Sequence, residues 1–116
     1  INQIGNSIID TAETVFFSGE GAKIVLDINM PKGITNAEIL ASRELVFDIV
    51  SELGTTEAVF FSSPTIPIIS DDPTAGCVNN GNCDLSDLTG DGLKKISIEA
   101  IDYSGTLKVR IMEVAG

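Results

Sequence analysis

Histidine and tryptophan are absent from the 116 residues, and tyrosine occurs once. Without histidine there is no Ser-His-Asp triad, no histidine-based zinc site and no imidazole pH switch. Basic residues are scarce: seven Lys+Arg stand against seventeen Asp+Glu, for a net charge of −10. A charge of that sign repels phosphate backbones and anionic lipid surfaces, which argues against a nucleic-acid partner. No apolar run approaches the roughly 20 residues of a membrane-spanning helix. The hydrophobic fraction of 43% nevertheless sets the chain apart from a disordered acidic tail. The length suits one domain, residues 1–116, with one core.

The few bases are unevenly placed. None occurs between Arg43 and Lys94, a stretch that holds Glu44, Asp48, Glu52, Glu57, Asp71, Asp72, Asp84, Asp87 and Asp91. An acidic loop of this kind is either simply solvated or meets cations. Cysteine occurs twice, at Cys77 and Cys83, around Val78-Asn79-Asn80-Gly81-Asn82. Asn80-Gly81 is a strong turn pair. A turn there brings the two cysteines within bridging range, and a disulfide is the expectation. A catalytic thiol or a closed zinc site is disfavoured, because no histidine supplies a base or a ligand. A disulfide points to an oxidising compartment or a hyperthermophile interior.

Apolar periodicity organises the rest. Ile1, Ile4, Ile8, Ala12 and Val15 recur at spacings of three and four, forming one helix face that Gly19 terminates. No capping residue precedes Ile1, so the segment reads as the trimmed end of a longer helix. Lys23 to Met30 alternates as a half-buried strand, closed by Pro31-Lys32-Gly33. Thr35-x-x-Glu38 is a capping-box pattern, which would allow one helix over 36–53. The alternation of Leu45, Phe47 and Ile49 with Val46, Asp48 and Val50 favours two strands instead, turning at Ser42-Arg43. Ala58 to Phe61 reads as a buried strand. Pro64 and Pro67 then impose an extended, edge-like segment with Ile66, Ile68 and Ile69. Residues 70–92 read as loop. Lys95 to Ile101 and Thr106 to Val114 alternate as strands around a four-residue hairpin connection, Asp102-Tyr103-Ser104-Gly105. The pattern predicts a mainly β fold: an antiparallel β-sandwich-like head at 22–116, preceded by one N-terminal α-helix at 1–18.

The order of these signals carries a resemblance. A helix ending in Asp10-Thr11-Ala12-Glu13-Thr14-Val15-Phe16-Phe17-Ser18-Gly19 leads into the strand Ala22 to Ile28 and then Met30-Pro31-Lys32-Gly33-Ile34. Later, Gly92 enters Leu93-Lys94-Lys95-Ile96-Ser97-Ile98-Glu99-Ala100. This resembles the soluble part of archaeal secreted proteins with a class III signal peptide, the type IV pilin-like proteins. The resemblance is clear over 10–34, loose over 38–61 and one of pattern over 92–112. It does not extend to the acidic disulfide loop. It implies a precursor with a short basic leader, an apolar helix and an extracellular β-rich head. It further implies self-assembly through an N-terminal helix lying upstream of this chain, with Ile1, Ile4, Ile8, Ala12 and Val15 as the assembly face. Membrane contact would run only through that upstream helix. Possible cell-envelope or surface partners, and adhesion, belong to the same expectation.

One pattern resembles a metal loop. Asp87-x-Thr89-x-Asp91-Gly92 matches the first half of a calcium loop, and Asp84 could add an oxygen. The twelfth position is Ile98 where a bidentate glutamate is required, so the EF-hand fails and only an irregular calcium site survives. The expected cofactor is otherwise none. No nucleophile sits beside a base and no phosphate-binding glycine loop occurs, so catalysis is not expected. Two readings follow: an extracellular structural head, or a secreted β-sandwich module that binds a glycan, a cell-envelope protein or calcium through 70–91.

Overall fold

The computed structural model describes residues 1–70, 77–78, 82–85 and 88–114. One helix, α1 (Asn2–Ser18), precedes the strands β1 (Lys23–Met30), β2 (Ile34–Leu40), β3 (Glu44–Ser51), β4 (Gly54–Phe61), β5 (Ile68–Ser70), β6 (Cys77–Val78), β7 (Asn82–Asp84), β8 (Gly92–Tyr103) and β9 (Thr106–Val114). They form two sheets, ordered β1-β8-β9-β5 and β4-β3-β2-β7-β6. The expected mainly β head with one N-terminal helix is therefore the observed fold. The 36–53 ambiguity resolves as the two strands β2 and β3.

Both sheets and the helix share one core. Ile8, Ala12 and Val15 of α1 belong to one buried cluster with Ile28, Ile96, Ile98, Val109 and Ile111 of the first sheet and Ile39, Leu45, Phe47 and Phe60 of the second. The helix runs antiparallel to β1. Just past its C-terminal end, Gly21 N donates to the carbonyl of Ala100 on β8 at 2.9 Å, beside the start of β1. Its N-terminal half, through Gln3, Ile4 and Ser7, lies beside Leu26 to Asn29 at the other end. The face expected to serve assembly is occupied within the single chain. Ile8, Ala12 and Val15 are fully buried in this chain's own core, and Ile1 and Ile4 are half-buried against it. Removing those side chains from water drives helix docking, which propensity alone would not secure at this length.

The helix approaches β4 closely at a glycine. A Cβ on Gly5 would lie 2.3 Å from the Phe60 ring, itself buried and set edge-on to Phe47 at 6.2 Å between centroids. Gly5→Ala ordinarily favours a helix, but here it forces Phe60 into Phe47. Chemical denaturation should show a loss of about 2 kcal/mol. Phe60→Leu in the same chain should recover most of it.

Other departures have local causes. Gly54–Phe61 is the outermost strand of its sheet, and of the expected buried run only Phe60 is buried; Phe61 is 62% exposed. The strands β8 and β9 run to Tyr103 and Thr106, so their connection is a two-residue turn at Ser104-Gly105 and not a four-residue one. Both turn residues have positive φ (53° and 86°), and Asp102 Oδ1 accepts from Gly105 N at 2.9 Å. Those dihedrals match the primed turns that follow the right-handed twist of a hairpin. One strand pair is parallel, β5 with β9. The chain crosses from one sheet to the other between Phe61 and Ile68. Pro67, which has no N–H, contributes a carbonyl to Val109 N at 2.9 Å as the segment joins the sheet edge.

Candidate functional site

The acidic region expected to act as a solvated loop is partly ordered by the second sheet. β7 adds to β2, pairing Glu38 with Asp84 and Ile39 with Cys83, and β6 adds to β7. Cys77 stands opposite Cys83 in that register. Cys83 is disulfide-bonded, and no cysteine among the described residues is free. The Asn80-Gly81 turn falls outside the described residues. The small β6–β7 ring is pinned at its base, because Asn82 Oδ1 accepts from Ala41 N at 2.9 Å and Leu85 N donates to the carbonyl of Ala37 at 2.9 Å. Closing a ring this short restricts the unfolded chain by about 2 kcal/mol. Reduction, or Cys83→Ser, should lower the unfolding free energy by about that amount, read by thermal melts with and without reductant.

Two residues that the sequence reading passed over anchor this region. Leu85 and Leu88 are buried in the common core. Their i, i+3 spacing was the available signal, obscured by the aspartates around them.

The calcium expectation divides. Asp84 lies exposed on β7, Thr89 is half-buried and Asp91 is exposed just before β8. Asp87 lies outside the described residues. Among the described residues, no group of three or more acidic or cysteine side chains comes together in a way that could hold a metal ion. Gly92 does adopt the positive φ (106°) expected of a bend glycine, but it opens β8 and not a helix.

Strand register brings acids together on a face instead. Residues 44, 46, 48 and 50 of β3 project away from the core side that holds Leu45 and Phe47, and their register partners continue that outer face. Glu38 lies beside Asp84, Asp48 beside Glu57, and Glu44 beside Phe61. Five carboxylates thus share the outer face of the second sheet, whose described strands contain no Lys or Arg. Asp48 is braced by Asn36 Nδ2, which donates to its Oδ2 at 3.5 Å. Such a face concentrates cations and repels anions, without fixing any one ligand.

The outer face of the first sheet is compensated. Lys95 pairs with Asp27 at 3.0 Å and Arg110 with Glu99 at 2.7 Å, while Lys108 lies 5.1 Å from the Tyr103 ring centre. A groove of about 350 Å³ runs between the N-terminal half of α1 and β1, lined by Gln3, Ile4, Ser7 and Leu26 to Asn29. It carries one carboxylate, Asp27, already engaged by Lys95. No family model, curated protein or solved structure matches the chain.

Proposed function

We propose that this chain is the head of an extracellular, pilin-like structural subunit, archaeal by its sequence resemblance, with no catalytic role. The observation that supports the reading best is the joint between helix and head. The face Ile8-Ala12-Val15 is built into the sandwich core, and the short Gly19–Ala22 connection is hydrogen-bonded at both ends. A head whose helix is part of its own core moves with that helix as one body. That is the mechanical requirement of a subunit held in a surface filament, or anchored to a surface, by a helix. The acidic exterior and the disulfide suit a head that stays soluble in an oxidising exterior.

The test is the N-terminus of the protein taken from its own cells, by intact mass and terminal sequencing. The reading expects a processed apolar helical stretch ahead of Ile1, about 20 or more residues long. A mature terminus at Ile1, or a conventional cleaved secretion signal, would overturn it. The acidic 70–91 region would then be the first place to seek a ligand.

A further inference from the structure

We propose that the free edge of β1 pairs antiparallel with the β1 edge of a second copy of this chain, about a two-fold axis through Val25. This inference does not depend on the pilin-like reading.

The backbone supplies the template. Ala100 N donates to the carbonyl of Ala22, which sets Ala22, Ile24, Leu26 and Ile28 as the residues whose main-chain groups face β8. The alternate residues Lys23, Val25, Asp27 and Asn29 point their N–H and C=O groups the other way. No described strand pairs with that side of β1. An unpaired edge of eight residues without bulge or proline is open to pairing with another chain.

The side chains make this edge complementary to itself. Antiparallel pairing about Val25 sets Lys23 opposite Asp27 of the second copy, and Asp27 opposite its Lys23. The two Val25 residues, each 45% exposed in the single chain, meet at the centre. Opposite charges facing across antiparallel strands attract, and apolar pairs add to them.

The rows behind the edge extend the match. In one row Lys23 lies beside Glu99, which lies beside Arg110; in the other Asp27 lies beside Lys95. The first row reaches the edge as a cation and the second as an anion. The two-fold joins them, so that Arg110, Glu99, Lys23, Asp27 and Lys95 alternate in sign across the junction. Lys23 has no ion-pair partner among the described residues of its own chain, although both Lys95–Asp27 and Arg110–Glu99 do form. A slip of the axis by one residue in either direction would abolish this match. A self-complementary patch of this type closes as a two-fold dimer, the commonest symmetry of homo-oligomers. The contact is small, so it belongs to the weak, concentration-dependent class.

Sedimentation equilibrium of the 116-residue chain, up to about 0.5 mM at physiological salt, tests this with two variants, Lys23→Asp and Asp27→Lys. The wild-type chain should form dimers in a concentration-dependent way. Each variant alone faces like charges at both positions and should dimerise at least about tenfold more weakly. An equimolar mixture of the two variants restores opposite charges at both positions and should dimerise like the wild type. Far-UV circular dichroism verifies that each variant is folded. A wild-type chain that stays monomeric throughout overturns the proposal. So do variants that dimerise as well as the wild type, or a mixture that associates no better than its components.

Discussion

Phe47→Ala is expected to lower the unfolding free energy by about 4 kcal/mol, the largest effect of any truncation in the second sheet. Phe47 is fully buried on β3, near the middle of its sheet. Its cross-strand neighbours are both alanines, Ala37 on β2 and Ala58 on β4. The ring therefore fills space that neither neighbour can reach, and the hydrogen-bonded backbone on both sides cannot move inward to close the void. The edge-on contact with Phe60, and through Phe60 the fit to Gly5 of the helix, is lost as well. Guanidinium titration measures the loss. Phe47→Leu should retain more than half of the lost stability, because most of the volume remains. Equal costs for the two variants would mean that the site collapses freely.

Gly33→Ala is expected to cost about 3 kcal/mol, from two sources. Gly33 has φ +92°, a conformation that L residues other than glycine rarely adopt. A Cβ there would also stand 2.6 Å from the backbone carbonyl oxygen of Val50, which cannot swing aside as a side chain would. The close approach is fixed by Val50 N donating to the Gly33 carbonyl at 2.7 Å. Gly92 is the natural control. It has a similar positive φ, but a Cβ there meets nothing within 4 Å. Gly92→Ala should therefore show the conformational cost alone, about 1 kcal/mol. Melting curves of the two variants separate contact from conformation. If they shift equally, the contact with Val50 contributes nothing.

The glycine that ends the Met30-Pro31-Lys32-Gly33 turn was legible in sequence as punctuation. Its contact with Val50 was not, because that contact depends on how β2 folds back onto β3. The same division runs through the molecule. The helix face, the β1 alternation and the β2–β3 turn near Ser42 follow from local periodicity and appear where expected. Alternation puts Val46 on the face opposite Leu45 and Phe47, and it lies there, yet it is buried. Its register partners Glu38 and Val59 flank it, and cross-strand neighbours are not written in local pattern. The exposure of β4 escaped for a related reason. Ala58-Val59-Phe60-Phe61 is as apolar as a central strand, and only sheet order reveals it as an edge. The acidic region illustrates the limit for sites. Its charge density was plain in the sequence. That Glu38, Glu44, Asp48, Glu57 and Asp84 share one face, while Leu85 and Leu88 turn inward, follows from register and packing alone.

The short connection between α1 and β1 has a consequence for how the head bears tension. Helix and strand run antiparallel, joined by a tight bend at Gly19 to Ala22 and sharing the buried row Ile8-Ala12-Val15. A pull along the helix axis, applied at its N-terminal end, is directed along the packed interface. It must slide the whole apolar row past the first sheet at once, and cannot lift it turn by turn. Shear of this kind loads many contacts in parallel, so the force to detach the helix should exceed what its modest buried row would resist when peeled. Tension applied there would enter the first sheet through the core that the row shares with Ile28, Ile96 and Ile98.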